Sequence, residues 1–151
     1  PSTNPPTQTH IVMELVHFSH EHPLFFKEVR NDKGQKVICR GCQNSIMDTA
    51  YSCGKCDYFL HKRCAELPRQ VKDPIHSHQL ALHEDSPYGL FTKYICNVCR
   101  KVGEYSFNYF CSPCKFNICM SCFMGDRTIT HKSHEHPLVL LSRPAFFYCN
   151  I

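Results

Sequence analysis

Residues 39–68 read CRGCQNSIMDTAYSCGKCDYFLHKRCAELP, and this stretch sets the frame of the whole chain. It contains two Cys-x2-Cys pairs, followed by a histidine and a cysteine that are separated by two residues. Residues 96–122, CNVCRKVGEYSFNYFCSPCKFNICMSC, repeat the frame with a cysteine in place of the histidine. Two thiolates separated by two residues can bind one tetrahedral ion from a tight turn. The stretch therefore indicates a metal-binding module that occurs twice.

Histidine pairs recur with the same period. A His-x-His pair occurs at residues 20/22, 76/78 and 134/136, a period of 56 to 58 residues. Apolar residues follow each pair and predict short strands. The repeat predicts a flexible arm or linker over residues 1–16, a first module over 17–76, a second over 77–135, and the start of a truncated third module over 136–151. Cys149-Asn150-Ile151 parallels Cys96-Asn97-Val98, so we expect a further cysteine to follow in a longer parent protein.

Zinc explains this pattern better than disulfides do. The chain has 12 cysteines, an even number that a disulfide framework would also allow. Disulfides have no need for histidines at fixed distances, whereas zinc binds both thiolate and imidazole. Iron–sulfur clusters are disfavoured because histidine is rare among their ligands. Each complete module offers eight ligands, enough for two closed sites, so we expect about four Zn²⁺ per chain.

The pairing of ligands follows from a predicted short helix over residues 58–67. His61 and Cys64 then share one helix face and can bind one ion. Cys53 and Cys56 lie too close to the start of that helix to join the same ion, so we predict crossed sites. The four predicted sites are Cys39, Cys42, His61 and Cys64; His22, Cys53, Cys56 and His76; Cys96, Cys99, Cys119 and Cys122; and His78, Cys111, Cys114 and His134. Every site has four protein ligands, which is typical of structural rather than catalytic zinc. The residues left without a role are His17, His20, His131, His136 and Cys149.

The sequence resembles the divergent C-one domain, a plant cysteine/histidine-rich relative of the diacylglycerol- and phorbol-ester-binding zinc domain of protein kinase C. The first module carries the motif closely, as Tyr51-Ser52-Cys53 and Cys64-Ala65-Glu66-Leu67-Pro68. In the second module Cys119 stands where the family has histidine. The resemblance covers about residues 17–151 and implies small zinc-stabilised α+β modules, each an antiparallel sheet with a short helix around two crossed zinc sites. It also implies a plant signalling or stress-response protein that acts by binding.

Lipid binding is an alternative that the resemblance raises. In the lipid-binding relatives a proline precedes the first cysteine pair and Gln-Gly precedes the second. Here Cys39 follows Lys36-Val37-Ile38, and Cys53 follows Thr49-Ala50-Tyr51-Ser52. The lipid-groove motif is therefore absent, which argues against diacylglycerol as the ligand.

Two further functions compete with partner binding. The formal charge of +4 would suit nucleic acid, but zinc-bound thiolates offset most of it, and the basic residues are scattered. A protein-disulfide reductase is suggested by the pairs Cys53/Cys56 and Cys111/Cys114. A redox pair requires a βαβ context, which neither pair has, and both pairs are assigned to zinc.

The preferred interpretation is a non-catalytic array of structural zinc modules that binds a protein partner of unknown identity. No apolar run reaches 18 residues, so no transmembrane segment is predicted. Zinc-binding thiols favour a reducing compartment, the cytoplasm or the nucleus. A rigid joint between modules is a further hypothesis, in which His76 and His78 would tie together the zinc sites of neighbouring modules.

Overall fold

The computed structural model describes residues 13–29, 34, 36–89, 93–125 and 128–139. These residues form short strands and two very short helices. In chain order the strands are β1 (Glu14–Leu15), β2 (Leu24–Glu28), β3 (Val37–Ile38), β4 (Ser45–Ile46), β5 (Thr49–Cys53), β6 (Phe59–Leu60), β7 (Gln70–Asp73), β8 (His76–His83), β9 (Tyr94–Ile95), β10 (Val102–Gly103), β11 (Asn108–Cys111), β12 (Phe116–Cys119), β13 (Thr128–His131) and β14 (His134–Val139), and the helices are α1 (Lys62–Ala65) and α2 (Met120–Met124).

The two modules have the same topology. The first sheet has the strand order β1-β2-β5-β6 and the second has β12-β11-β8-β7, which is the same arrangement one repeat later. A two-stranded hairpin, β3–β4 or β9–β10, is inserted between the second and third strands of each module. A short helix follows the last strand of each sheet. The predicted fold class, small antiparallel sheets with short helices in tandem modules, is confirmed.

The helix predicted over residues 58–67 is much shorter than expected. Phe59 and Leu60 form β6 and pair with Ser52 and Tyr51 of the central strand β5. Only residues 62–65 are helical, held by bonds such as the Glu66 N–H to the Lys62 carbonyl at 3.0 Å. Pairing with β5 satisfies the backbone of these two residues and buries Leu60, which a longer helix would not do.

The second sheet begins before the predicted module boundary. β7 forms a hairpin with β8, in which Gln70 pairs with Ala81 and Val71 with Leu80. The boundary predicted between residues 76 and 77 thus falls inside β8. Likewise β1, at the end of the predicted arm over residues 1–16, is a strand of the first sheet. The rest of that arm, residues 1–12, lies outside the described residues.

The hairpin β13–β14 resembles the hairpin β7–β8 one repeat earlier. Thr128 pairs with Val139, and His131 pairs with His134. The predicted third module therefore begins with a paired hairpin, while residues 140–151, which include Cys149, lie outside the described part of the chain.

The core runs through both modules without a break. Leu24 and Leu60 of the first sheet and Leu80, Tyr109 and Ile118 of the second belong to one cluster of buried side chains. The two modules are therefore packed against each other through a shared core.

Neither helix has the length or the apolar character that a membrane-crossing helix needs, within the part of the chain that the structure describes.

Candidate metal centres

The structure collects sixteen cysteine and histidine side chains into four clusters, each with four ligand atoms that all lie within 4.8 Å of one another. The clusters are Cys39, Cys42, His61 and Cys64; His20, His22, Cys53 and Cys56; Cys96, Cys99, Cys119 and Cys122; and His76, His78, Cys111 and Cys114. We call the first and third the knuckle sites, because each starts from a Cys-x2-Cys turn after a short strand. We call the second and fourth the His-pair sites. In each module the ligands of the two sites alternate along the chain, so the predicted crossed arrangement is present.

The first knuckle site has the distances that zinc requires. Cys42 Sγ lies 3.4 Å from His61 Nδ1. Cys64 Sγ lies 4.0 Å from the same nitrogen. Zn–S bonds of about 2.3 Å and Zn–N bonds of about 2.0–2.1 Å in a tetrahedron place sulfur and nitrogen about 3.6 Å apart. The His61 backbone N–H also donates to Cys39 Sγ at 3.3 Å, which orients that sulfur toward the cluster.

The second knuckle site consists of four cysteines. Cys99 Sγ and Cys119 Sγ lie 3.8 Å apart, and two sulfurs of a tetrahedral zinc site are expected about 3.8 Å apart. Its four thiolates give this site one more negative charge than the first knuckle site, where His61 supplies a neutral nitrogen. The change from histidine to cysteine thus alters local charge and preserves the coordination geometry.

The thiols of the knuckle sites perturb one another strongly. Hydrogen bonding from the Cys39 thiol holds the pKa of Cys42 well below its usual range. The same group, by its hydrogen bond, raises the pKa of Cys64 far above the usual range. In the second site the hydrogen bond with Cys119 and burial raise the pKa of Cys96 to about 12. Without a metal ion, deprotonation of one thiol in a cluster therefore makes deprotonation of its neighbours harder. A bound divalent cation allows all of these thiols to be deprotonated together.

The His-pair sites share a common arrangement of rings. His20 stacks on Tyr58 with ring centroids 4.2 Å apart, and it meets His22 edge-on at 5.3 Å. Cys56 Sγ lies 3.5 Å from His22 Nδ1. The Nε2 atom of His20 is buried and has no hydrogen-bond partner among the described residues. A buried nitrogen without a hydrogen-bond partner lowers the stability of the fold, and a bound metal ion would supply the missing partner. The first His-pair site therefore fits a metal ion in its chemistry as well as in its geometry.

The second His-pair site repeats that arrangement. His76 stacks on Phe116 at 4.4 Å and meets His78 edge-on at 5.4 Å. His78 Nδ1 lies 3.0 Å from Cys114 Sγ. Phe116 takes the place that Tyr58 has in the first module. The side chains of both His-pair sites therefore converge in the same way on one ion.

The predicted pairing of the histidines is wrong for both His-pair sites. His76 was expected to close the first of them, but it lies with His78, and His20 fills the position in the first module. Residues two apart in a strand point to the same side of the sheet, so both histidines of β8 reach one ion. β8 also pairs with β11, the strand that ends in Cys111.

His134, predicted to close the second site, has its backbone in the β13–β14 hairpin, opposite His131. Its side chain lies outside the described side chains, as does that of His131. His136 is exposed. The place predicted for His134 is taken by His76. The missed signal is the strand pattern itself: extending each predicted strand backward to include the whole His-x-His pair would have kept both histidines in one site.

His17 has a different role from the ligands. It is buried, and its Nδ1 atom shares a hydrogen bond of 2.6 Å with Ser19 Oγ. Burial, together with the nearby Arg69 guanidinium, lowers the pKa of His17. Its ring stacks on Phe107 of the second module at 5.9 Å, with an interplanar angle of 7°. His17 is thus a neutral packing residue between modules.

All eleven cysteines among the described residues are free thiols, and all eleven lie in the four clusters. The four clusters fit Zn²⁺: the donors are thiolate and imidazole, four are present in each, and their spacings match a tetrahedron. When bound, zinc would cross-link each module, and with four protein ligands it would have the closed shell of a structural site.

Comparison with known proteins agrees with this architecture. The family model of the C1 domain matches the chain twice, over residues 18–65 and over residues 74–123. No match was found among curated proteins or among solved structures. Each matched segment runs from a His-x-His pair to the helix that carries the last knuckle ligand. With two interleaved zinc-type clusters in each segment, and with more than half of its length matched, the chain belongs to the C1 domain family.

Proposed function

We propose that the chain is a non-catalytic, zinc-binding interaction protein that binds a basic segment of a protein partner in the cleft between its two modules. Zinc in this proposal is structural, because each cluster already has four protein ligands. The observation that carries the proposal is the cleft, which has a volume of about 460 Å³. Its lining comes from both modules: Ser19, Arg40, Asp57 and Tyr58 from the first, and Glu84, Asp85, Tyr105 and Phe107 from the second.

The charge of the cleft differs from that of the whole chain. Asp57, Glu84 and Asp85 contribute three carboxylates against the single guanidinium of Arg40, although the chain carries a formal charge of +4. Asp57 and Glu84 are exposed, and neither forms an ion pair within the described residues. The carboxylates of the cleft therefore attract cations.

The walls of the cleft suit a cationic side chain in particular. Tyr58 and Tyr105 present aromatic rings beside the carboxylates. Burial raises the pKa of Tyr58 to about 12, so its hydroxyl stays neutral at physiological pH. Lysine and arginine combine attraction to carboxylates with attraction to aromatic faces. A protein segment rich in these residues is the partner that the cleft complements.

A pair of labelled peptides tests this proposal. We expect a fluorescein-labelled peptide of alternating lysine and glycine to bind the zinc-loaded chain, and its glutamate counterpart to bind more weakly, in fluorescence anisotropy. The double variant Asp57→Asn/Glu84→Gln should weaken binding of the lysine peptide roughly 2- to 30-fold, because each exposed charge contributes about 0.2–1 kcal/mol. Chemical shift changes should centre on the residues of the cleft.

The matched control is Glu28→Gln, which removes an exposed carboxylate of β2 that does not line the cleft. Equal weakening by the control and by Glu84→Gln alone would show that the peptide senses net charge only. Vesicles of phosphatidylcholine with diacylglycerol serve as the second probe. Binding to these vesicles without binding to the peptide would assign the modules to lipid instead of to a protein.

The redox alternative has its own test. Cys53 and Cys56, like Cys111 and Cys114, lie in clusters with two histidines. We expect the zinc-loaded chain to leave the rate of insulin reduction by dithiothreitol unchanged, because bound thiolates are poor nucleophiles for exchange. Faster precipitation of the insulin B chain would instead support a reductase.

The free thiols also support a reducing compartment, and we propose the cytoplasm or nucleus and a role in signalling.

A further inference from the structure

We propose that the turn Arg40-Gly41-Cys42 of the first knuckle site is the docking surface for the second module, so that metal bound at this site fixes the relative orientation of the two modules. The turn has two functions in this proposal: Cys42 binds the ion, and its neighbours hold the second module. The inference concerns the coupling of metal to domain arrangement and is independent of any partner.

Gly41 is in direct contact with Phe107 of the second module. The Phe107 backbone N–H donates to the Gly41 carbonyl at 2.9 Å. A Cβ atom placed on Gly41 would lie 3.1 Å from a ring carbon of Phe107 and 3.0 Å from Cβ of Cys64. Both distances are shorter than ordinary van der Waals contact, and Phe107 is fully buried. An added Cβ at position 41 would therefore require Cys64 and Phe107 to shift by a few tenths of an ångström, and the larger side chain of valine would push Phe107 further from the turn.

The metal site itself does not require this glycine. Gly41 does not have the positive φ that would demand glycine; among the described glycines only Gly34 and Gly89 do. In the second module Val98 stands at the matching position of the turn. Both turns are closed by the same bond, from Gln43 N–H to the Cys39 carbonyl and from Arg100 N–H to the Cys96 carbonyl, each 2.9 Å long. The backbone of the turn tolerates valine, so the close approach of Phe107 and of Cys64 to position 41 is what favours glycine there.

The residues beside Gly41 hold the segment that leads to Phe107. The Gln43 side-chain amide donates to the Tyr105 carbonyl at 2.5 Å. The Arg40 guanidinium lies 5.8 Å from the centroid of the Tyr105 ring. Tyr105 itself has a φ of 51°, a left-handed conformation that a tyrosine adopts only when its surroundings hold it there. Arg40, Gly41 and Gln43 thus engage one segment of the second module.

Two further contacts complete the joint from the opposite side. Phe18 packs on Phe107 with ring centroids 5.6 Å apart, and the Arg69 guanidinium lies 3.7 Å from the centroid of the Phe18 ring. The Tyr109 hydroxyl donates to the Pro68 carbonyl at 2.7 Å. Phe107 is therefore enclosed between the knuckle and the residues around Phe18. The joint depends on the knuckle holding its shape.

Metal at the knuckle site maintains that shape. Cys39 and Cys42 flank Arg40 and Gly41, so a single ion that binds both sulfurs fixes the two residues between them. Without the ion, hydrogen bonds such as the one from the Gln43 N–H to the Cys39 carbonyl remain, but the Cys42 and Cys64 side chains are no longer tied to one centre. Release of this ion is expected to free the second module while its own two sites remain filled.

Nuclear magnetic resonance of the zinc-loaded chain tests the joint directly. We expect ¹⁵N relaxation to give one rotational correlation time for both modules and slow hydrogen exchange at the Phe107 amide. Gly41→Val should keep all four zinc ions, lower the correlation time of each module toward that of a single module, and speed exchange at Phe107 at least about tenfold. Gly54→Ala is the matched control, since nothing lies within 4 Å of its added Cβ.

Gly41→Ala, the smaller intrusion, is measured in parallel and should show the same changes to a lesser degree. If Gly41→Val prevents the first module from folding, the Gly41→Ala variant still tests the joint. A second arm uses Cys42→Ser to release the knuckle ion and should leave module-two resonances folded while the Phe107 amide loses protection. Independent tumbling of the wild-type modules, or full Phe107 protection in both Gly41 variants or in Cys42→Ser, would overturn the proposal. No peptide or lipid is used, so the outcome is separate from that of partner binding.

Discussion

Chelation of zinc is expected to unfold both modules together with the loss of their metal. Each matched C1 segment is only about 50 residues long, and a chain of this size buries too little apolar surface to offset about 1–2 kcal/mol of backbone entropy per residue. A structural zinc site contributes about 10–16 kcal/mol, which is comparable to or larger than the whole stability of a small domain. The core of this protein supports that view, since buried ligands such as Cys39 and Cys64 are themselves members of it.

The measurement follows metal and structure in one titration. Elemental analysis of native protein should find about four zinc ions per chain, as four complete clusters require. As a strong chelator is added, the far-ultraviolet circular dichroism of the sheets and the dispersion of the amide spectrum should be lost in step with zinc release. Returning zinc under reducing conditions should restore both. A metal-free chain that keeps its sheet signal would show that the apolar core suffices alone.

Replacement of His76 by alanine has the second-largest expected effect, and it distinguishes the two ways of pairing the histidines. His76 lies with His78, Cys111 and Cys114. The variant His76→Ala should therefore bind about three zinc ions and lose the folded amide signals of the second module, because an incomplete site binds its ion far more weakly. The signals of the first sheet should remain, except those at the joint with Phe107.

The pairing predicted from the sequence gives the opposite result, since there His76 completes a site of the first module. Loss of the first-module signals with retention of the second would restore that pairing. His83→Ala is the control, because His83 lies on the same strand and its ring packs on Phe110 at 5.6 Å, outside every cluster. The control should keep about four zinc ions. His20→Ala provides the converse experiment, in which the first module should lose an ion.

The local parts of the sites were predictable from the sequence. Cys39 and Cys42 are three residues apart, and a single turn can bring their sulfurs to one ion regardless of the rest of the fold. The same holds for His61, which directly precedes α1, and Cys64, which lies within that four-residue helix. The common period of the cysteines also predicted the tandem modules, and the nearness of Cys53 and Cys56 to the predicted helix predicted the crossed order of the sites.

The predictions that proved wrong concern residues that could belong to either of two structural elements or to either of two modules. Phe59 and Leu60 fit both a helix and a strand, and the choice was made by the free edge of β5. His76 follows the first module and precedes the second at comparable distances along the chain, so spacing alone could not assign it. Its pairing within β8 and the pairing of β8 with β11 assigned it to the second module.

The sequence by itself determined the metal, the number of complete modules and the ligands that lie within one turn of each other, because these depend on side-chain chemistry and on contacts of a few residues. Only the tertiary structure decided to which module each His-x-His pair belongs. It also explains why position 41 is glycine where the second module has Val98. Both are matters of contact between segments far apart in the chain. Strand pairing and the packing of Phe107 on the knuckle depend on where whole modules lie in space, and no local spacing encodes that.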